Sequence, residues 1–244
     1  MYGALVDGEG GFAHGLVQGG VGVAGAGDVL GRGAELDRQH KFVDQIAGLG
    51  TDDAAATLLA VLLDGPARPT VLDADALNVA AAGRIDLAKA ASERPLLITP
   101  HPGEMSRLAA AAGRGPLTDP ASTARAAAER LGCAVLLKGA PSVVASPDGP
   151  LLVDTQSSSD LAVAGMGDAL TGVAGALLAQ GLDPRTAGSV GLYLMGRAAR
   201  IAGRGAALVP SDVIRHLADA LGERGDPVSD LALPFVTFDA DAAR

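Results

Sequence analysis

The sequence predicts a single α/β domain whose mostly parallel sheet is covered by helices on both faces. From about residue 46 onward, short apolar segments alternate with segments of helical periodicity. The predicted strands are continuous apolar runs, which is typical of strands that are buried on both faces. A length of 244 residues fits one such domain better than two.

The first half of the pattern begins with a helix over 51–65, for which Thr51 is the predicted N-cap. An apolar strand within 69–78 then runs into an acidic loop. Residues 94–113 are predicted to form a strand, a loop bracketed by prolines and a helix.

The second half begins with a helix over 119–132, in which Asp119 is the cap and Pro120 takes the first position. A strand over 133–139 and a hairpin over 141–154 follow, and the hairpin is predicted to turn at Asp148-Gly149. Three more helices complete the pattern, within 162–181, 186–203 and 209–223.

These elements define the expected organisation of the chain. Residues 46–223 are predicted to form the main α/β domain. Residues 1–45 are glycine-dense without a clear period and are treated as an atypical N-terminal segment. Residues 224–244 lack periodicity and are expected to be an irregular tail.

Composition and charge exclude several classes of protein. The net charge of −9 and the lack of a Lys/Arg-rich block argue against binding to nucleic acid or to an anionic membrane. No apolar run approaches the about 18 residues that a membrane span needs. The first residues, MYGALVDGEGG, lack the pattern of a secretory signal, so a cytoplasmic location is expected. Cys133, the single cysteine, is expected to be a small buried hydrophobic residue.

Polar residues follow three of the predicted strands at their carboxyl ends, where ligands bind in open α/β sheets. They are Asp73 and Asp75, then His101 and Glu104, then Lys138. Each could alternatively be a helix cap or a solvated loop residue.

The segment AVAGMGDALTGVAGALLAQG (162–181) places Gly165, Gly167 and Asp168 before an apolar helix. A glycine loop at a helix N-terminus exposes N–H groups that suit a phosphate. Asp168 beside such a phosphate is a candidate general base. The alternative is that Asp168 only caps the helix.

Four segments together resemble the ADP/ATP-dependent NAD(P)H-hydrate dehydratases, which are repair enzymes of the ribokinase-like superfamily. They are LDADALN (72–78), ITPHPGEMSRL (98–108), LKGAPSVVASPDG (137–149) and the glycine segment at 162–181. The resemblance covers roughly residues 46–223 and implies a ribokinase-like three-layer sandwich. Two motifs differ from the family: AGLG (47–50) stands where GPGLG is usual, and Met166 stands where the family carries threonine.

The resemblance implies roles for individual residues. Asp168 corresponds to the catalytic aspartate. Binding of the adenine nucleotide is implied for Lys138, Gly139, Ala140, Pro141, Ser142, Gly165 and Gly167. Binding of the hydrated nicotinamide nucleotide is implied for Gly48, Gly50, Asp75, Asn78, His101 and Glu104.

The resemblance also implies the reaction. ADP or ATP phosphorylates the hydroxyl of hydrated NADH or NADPH, and loss of phosphate restores the nicotinamide ring. Magnesium is expected to bridge the phosphates, its protein ligands being left open. A homo-oligomer is expected. Two alternatives remain: a kinase of a hydroxymethyl or hydroxyethyl heterocycle on the same fold, and an inactive nucleotide-binding protein, which the unusual residues 1–45 suggest.

Overall fold

The computed structural model of the protein describes residues 5–6, 12–13, 43–113, 119–154, 159–222 and 235–238. Two short strands, β1 (Leu5–Val6) and β2 (Phe12–Ala13), pair with each other in antiparallel fashion. All other strands belong to one seven-stranded sheet whose order follows the chain from β3 to β9.

The sheet has a parallel part and an antiparallel extension. The parallel part consists of β3 (Asp44–Ile46), β4 (Thr70–Leu72), β5 (Leu96–Ile98) and β6 (Ala134–Leu137). The extension consists of β7 (Val143–Ala145), β8 (Leu151–Asp154) and β9 (Phe235–Phe238). Because β8 again runs in the direction of β6, five of the seven strands share one direction. The predicted mostly parallel sheet is confirmed.

Helices cover both faces of the sheet. One face carries α1 (Asp53–Asp64), α2 (Asp75–Ala81), α3 (Leu87–Glu93), α4 (Pro102–Ala111) and α5 (Pro120–Leu131). The other face carries α6 (Met166–Ala179), α7 (Pro184–Ala202) and α8 (Pro210–Gly222). This is the predicted three-layer sandwich.

Alternate residues of each strand supply the two cores, since successive side chains of a strand point to opposite faces. Leu72, Ile98 and Val135 pack under α1–α5. Val71 and Leu97 pack under α6–α8. All five side chains are fully buried, which explains why the strands are apolar without alternation in the sequence.

Capping and turn residues in the sequence predict several element ends correctly. Asp119 caps α5 through bonds to the Ala121 and Ser122 amides, and Pro120 is its first residue. Gly149 adopts φ 87° in the turn between β7 and β8. Cys133 is buried, and burial raises the pKa of its thiol to about 12, so it is inert at neutral pH.

Other predicted boundaries are wrong. The N-cap of α1 is Asp52 and not Thr51, because the Asp52 carboxylate accepts a hydrogen bond from the Ala55 amide at 2.8 Å. The acidic loop after β4 is only two residues long, since α2 already begins at Asp75. Helix α3 was not predicted at all. Its N-cap, Asp86, bonds the Ala88 and Lys89 amides.

The ends of the domain also differ from the prediction. Strand β3 begins at Asp44, inside the segment 1–45. Strand β9 lies inside 224–244, which therefore is not wholly an irregular tail, and it pairs with β8 along four residues. An isolated four-residue strand carries little periodicity of its own, so only its pairing partner reveals it. The rest of 1–42 and 223–244 lies outside the described residues.

Candidate functional site

The carboxyl ends of β3–β6, here called the carboxyl end of the sheet, bring together polar side chains from distant parts of the sequence. Asp73 follows β4 directly and is only 2% exposed. Lys138 follows β6, and its Nζ lies 2.8 Å from Oδ1 and 3.0 Å from Oδ2 of Asp73. Thr171 of α6 places its Oγ1 3.1 Å from Oδ2 of Asp73. A buried carboxylate is thus paired with a cation and further hydrogen-bonded.

The backbone at Asp73 is shaped for this contact. Ala74 has φ 51° and ψ −117°, a conformation that non-glycine residues rarely adopt. In this conformation the Ala74 amide donates to Oδ1 of Asp73 at 2.8 Å. Unfavourable backbone conformations of this kind cluster at functional sites, where the surroundings hold them in place.

The glycine loop approaches the same cluster. Gly165 is the N-cap of α6 with φ 84°, which glycine adopts without strain. A Cβ atom on Gly167 would lie 3.4 Å from both the Asp73 carboxylate and the Lys138 ammonium group. Gly167 therefore lets the first turn of α6 pack closely against the ion pair.

Asp168 lies in the first turn of α6, and its alternative role as the N-cap is wrong, because Gly165 holds that position. The Asp168 side chain is half-buried, and burial raises its pKa above the ordinary value. The nearby Asp73 carboxylate raises the pKa further, and Lys138 opposes this effect. The described residues make no hydrogen bond or ion pair to the Asp168 carboxylate, which leaves it available to a ligand hydroxyl.

The predicted nucleotide loop, Lys138–Ser142, follows β6. The Lys138 amide donates to the Pro100 carbonyl at 2.8 Å, which ties the ends of β5 and β6 together. Ser142 is buried; its Oγ accepts from the Gly139 amide at 3.1 Å and lies 2.9 Å from the Gly139 carbonyl oxygen. Gly139, Ala140 and Pro141 are exposed between these anchors, with the Ala140–Pro141 peptide bond cis.

The predicted substrate residues form two further contacts at this end of the sheet. Gly48 and Gly50 have φ 64° and 82°, and the Gly50 amide donates to Oδ2 of Asp75 at 2.9 Å. Asn78 of α2 accepts a hydrogen bond from Nε of Arg107 at 2.8 Å. The loop after β3 is therefore hydrogen-bonded to α2, and α2 is hydrogen-bonded to α4.

His101 and Glu104 form a capping box at the start of α4. Nδ1 of His101 accepts from the Gly103 and Glu104 amides at 2.9 and 3.4 Å. Oε2 of Glu104 accepts from the His101 amide at 2.8 Å, and its Oε1 lies 3.2 Å from Nε2 of His101. These bonds assign the proton of the neutral ring to Nε2. Glu104 is buried and engaged with His101, whose side chain is 49% exposed.

Three residues of this region were given no role from the sequence: Asp73, Thr171 and Arg107. Asp73 was noticed only as a polar residue at a strand end. Thr171 lies within an apolar helix and carries no local signal. Arg107 stands three residues after Glu104, a spacing that puts both on one side of α4.

The chain was compared with known proteins. The family model for NAD(P)H-hydrate dehydratase matches residues 46–219. The bifunctional NAD(P)H-hydrate repair enzyme Nnr of Salinibacter ruber is 43% identical over 62% of this chain and 28% of its own length. The ADP-dependent (S)-NAD(P)H-hydrate dehydratase of Neisseria meningitidis is 39% identical over 63% of this chain and 52% of its own length.

A solved structure shows the same fold. The ADP/ATP-dependent NAD(P)H-hydrate dehydratase of Bacillus subtilis, co-crystallized with ATP/Mg²⁺, is 27% identical, with a TM-score of 0.60 over 72% of this chain and 63% of that chain. This chain thus spans about half or less of the two curated relatives, and under two thirds of the solved structure. Because the family model covers most of the chain and the sandwich carries its motifs at one end of the sheet, the chain belongs to the NAD(P)H-hydrate dehydratase family.

Proposed function

We propose that the protein repairs hydrated NADH and NADPH by a dehydration that consumes ADP or ATP. The observation that carries the proposal is the arrangement of Asp168 beside the Asp73–Lys138 ion pair, at the N-terminus of α6. The family and its relatives support the choice of substrate.

The proposed chemistry has two steps. In the first, Asp168 accepts the proton of the hydrate hydroxyl as the hydroxyl oxygen attacks the terminal phosphorus of the nucleotide, and the bond from that phosphorus to the bridging oxygen breaks, so that the nucleotide leaves with one phosphate fewer. In the second, the bond from the ring carbon to the phosphorylated oxygen breaks and the adjacent ring carbon loses a proton, so that inorganic phosphate leaves and the ring regains its double bond. The raised pKa makes Asp168 a stronger base than an ordinary carboxylate.

The remaining residues bind and orient the two ligands. The N–H groups of the α6 first turn and the Lys138 ammonium group contact the phosphates. The exposed loop Gly139–Pro141 lies beside them and is held by the Ser142 hydroxyl. Gly165 adopts the positive φ from which α6 begins. Gly48, Gly50, Asp75, Asn78 and His101 contact the hydrated nucleotide, while Glu104 holds His101 in place.

Magnesium is proposed to arrive with the nucleotide. Among the described residues, no group of three or more His, Cys, Asp or Glu side chains is arranged to hold a metal ion. Mg²⁺ binds oxygen ligands and usually keeps several waters, so the nucleotide phosphates would supply part of its ligand set. When bound, the ion neutralises charge on the phosphates.

We further propose that the protein acts in the cytoplasm as a homo-oligomer and without nucleic acid. Its acidic charge supports the lack of a nucleic-acid partner. In the described part of the chain no helix is long and apolar enough to span a bilayer.

The decisive experiment incubates hydrated NADH with the protein, Mg²⁺ and either ADP or ATP while the absorbance of the restored reduced ring is followed. We expect the absorbance to recover only when both protein and nucleotide are present. One phosphate should be released for each ring restored. A heterocycle kinase would instead phosphorylate a hydroxyethylthiazole and leave the hydrate unchanged. An inactive protein would bind the nucleotide but would neither restore the ring nor phosphorylate the thiazole. Either of these two results contradicts the proposal.

A further inference from the structure

Asp73 is the most completely bonded polar side chain at the carboxyl end of the sheet. Its two oxygens contact Lys138, the Ala74 amide and the Thr171 hydroxyl, all within 3.1 Å. A buried carboxylate needs such partners, because an unpaired one would be strongly destabilising. Asp73 therefore orients the Lys138 ammonium group, and Lys138 keeps a third N–H for another acceptor.

Thr171 gives Asp73 a hydrogen-bond donor that can also turn to a second acceptor. Its hydroxyl lies 3.1 Å from Oδ2 of Asp73 and 2.8 Å from the Gly167 carbonyl oxygen. Both neighbours are acceptors, and a hydroxyl has one proton to donate. The proton can stay with Gly167 while Lys138 satisfies Asp73, and it can turn to Asp73 when Lys138 moves toward a phosphate. Asp73 thus stays hydrogen-bonded when the Lys138 ammonium group also binds a phosphate.

Asp168 experiences the charges of this cluster. The charged groups that act on it are Asp73, from the end of β4, and Lys138, from the end of β6. Lys138 alone would lower the pKa of Asp168 and weaken it as a base. Asp73 opposes that effect through its own negative charge, and Gly167 allows Asp73 and Lys138 to lie against the first turn of α6, which carries Asp168.

We propose that Asp73, assisted by Thr171, is a positioning residue that orients Lys138 toward the transferred phosphoryl group and balances the positive charge of Lys138 beside Asp168. The inference rests on the proposed function for the step that it serves. It assigns to Asp73 no contact with either ligand. Its effect reaches the reaction through Lys138 and Asp168.

The test titrates the Asp168 carboxyl group by ¹³C NMR, with its signal assigned by its loss in Asp168→Asn. Asp73→Asn keeps the shape of the side chain and removes its charge, so the pKa of Asp168 should fall below that of the unmodified protein. The kcat should fall at least about 10-fold, the effect of losing a hydrogen bond to a charged group. The acidic limb of the kcat profile should move to lower pH, which a merely structural role of Asp73 would not cause.

Asp44→Asn is the matched control, because Asp44 is also a buried aspartate beside a cation, but at the start of β3. It should leave the pKa of Asp168 unchanged. An unchanged Asp168 titration in folded Asp73→Asn, or an equal shift in Asp44→Asn, overturns the proposal. The titration needs no turnover, so it decides the role of Asp73 even if the dehydration assay of the unmodified protein fails.

Two variants at Thr171 carry the test if Asp73→Asn does not fold. Thr171→Val preserves shape and removes the hydroxyl, whereas Thr171→Ser retains it. We expect kcat to fall about 10-fold in the valine variant and to recover in the serine variant. A normal kcat in folded Thr171→Val, or no recovery in Thr171→Ser, contradicts the proposal.

Discussion

Asp44 and Asp73 are buried aspartates at opposite ends of the same sheet, and each lies beside a cation. Asp44 opens β3 and is 3.6 Å from Arg68, while Asp73 follows β4 and is 2.8 Å from Lys138. Burial raises the pKa of Asp44, while the positive charges of Arg68 and Arg94 and a hydrogen bond from Arg68 lower it. At Asp73 a second carboxylate, Asp168, lies near the same lysine.

The difference between the two ends shows what marks a functional site. Arg94 is fixed by the carbonyls that end α1, because its guanidinium donates to Leu62 and Leu63. Lys138 donates to a carboxylate and not to helix carbonyls, and its side chain is 22% exposed at the end of the sheet where ligands bind. Burial and ion pairing occur at both ends. Among the described residues, the carboxyl end adds a half-buried base at Asp168 and a glycine turn at Gly165.

The largest effect is expected at Asp168. Asp168→Asn should lower the rate of hydrate dehydration at least about 100-fold, since it removes the positioned base. The free energy of unfolding should fall by no more than about 1 kcal/mol, the value of a charge in the first turn of a helix. Steady-state kinetics and urea unfolding measure the two quantities. Near-normal turnover in a folded asparagine variant would leave Asp168 without a catalytic role.

Lys138 should have the next largest effect. Lys138→Ala should weaken binding of ADP or ATP at least about 10-fold, because a charged hydrogen bond to phosphate is lost. Binding of the hydrated nicotinamide nucleotide should change less. Calorimetric titration of each ligand gives both constants. Lys89→Ala, which removes a lysine from the surface of α3, is the control and should change neither. Equal losses for both ligands in the Lys138 variant would refute its assignment to the nucleotide.

A smaller effect is expected at His101, where two roles must be separated. His101→Ala should raise the Michaelis constant for the hydrate several-fold, to about 3–10 times its value, with a smaller change for ADP or ATP. It should also lower the free energy of unfolding by about 1 kcal/mol, because the cap of α4 is lost. His101→Asn retains a capping oxygen and removes the ring. If it restores stability but not the Michaelis constant, His101 contacts the substrate; if it restores both, His101 only caps α4.

The smallest effect is expected at Asp44 and concerns stability alone. Because its folded-state pKa is raised, the folded protein keeps this proton at a pH where the unfolded chain has lost it. The free energy of unfolding should therefore fall as pH rises from the unfolded value of about 3.9 through the folded value. Asp44→Asn removes this contribution and should leave the rate of dehydration unchanged.

Urea unfolding of both proteins at a series of pH values measures this prediction. The stability of the variant relative to the unmodified protein should rise across that window and then stay constant. The contribution of Asp168 is common to both proteins and cancels. A difference that does not depend on pH, or a loss of activity, would show that the two ends of the sheet are not as distinct as their geometry indicates.

Much of the site was predictable because its signals are local. Gly165, Gly167 and Asp168 lie within four residues, and Lys138 precedes its loop directly. The same holds for the cap of α5 and the turn at Gly149. Capping and turn formation depend on neighbours a few residues away, so one stretch of sequence suffices to predict them.

The sequence by itself determined the layered α/β fold, the family and the chemical types of the residues at the strand ends. The tertiary structure decided which of those residues form ion pairs and hydrogen bonds with one another. Asp73 meets Lys138 across 65 positions and Thr171 across 98, and β9 was recognisable only beside β8. Such contacts depend on how the strands pair and how α6 packs on the sheet, which no local periodicity encodes. The proton affinity of Asp168 follows from this packing, since burial and a second carboxylate set it.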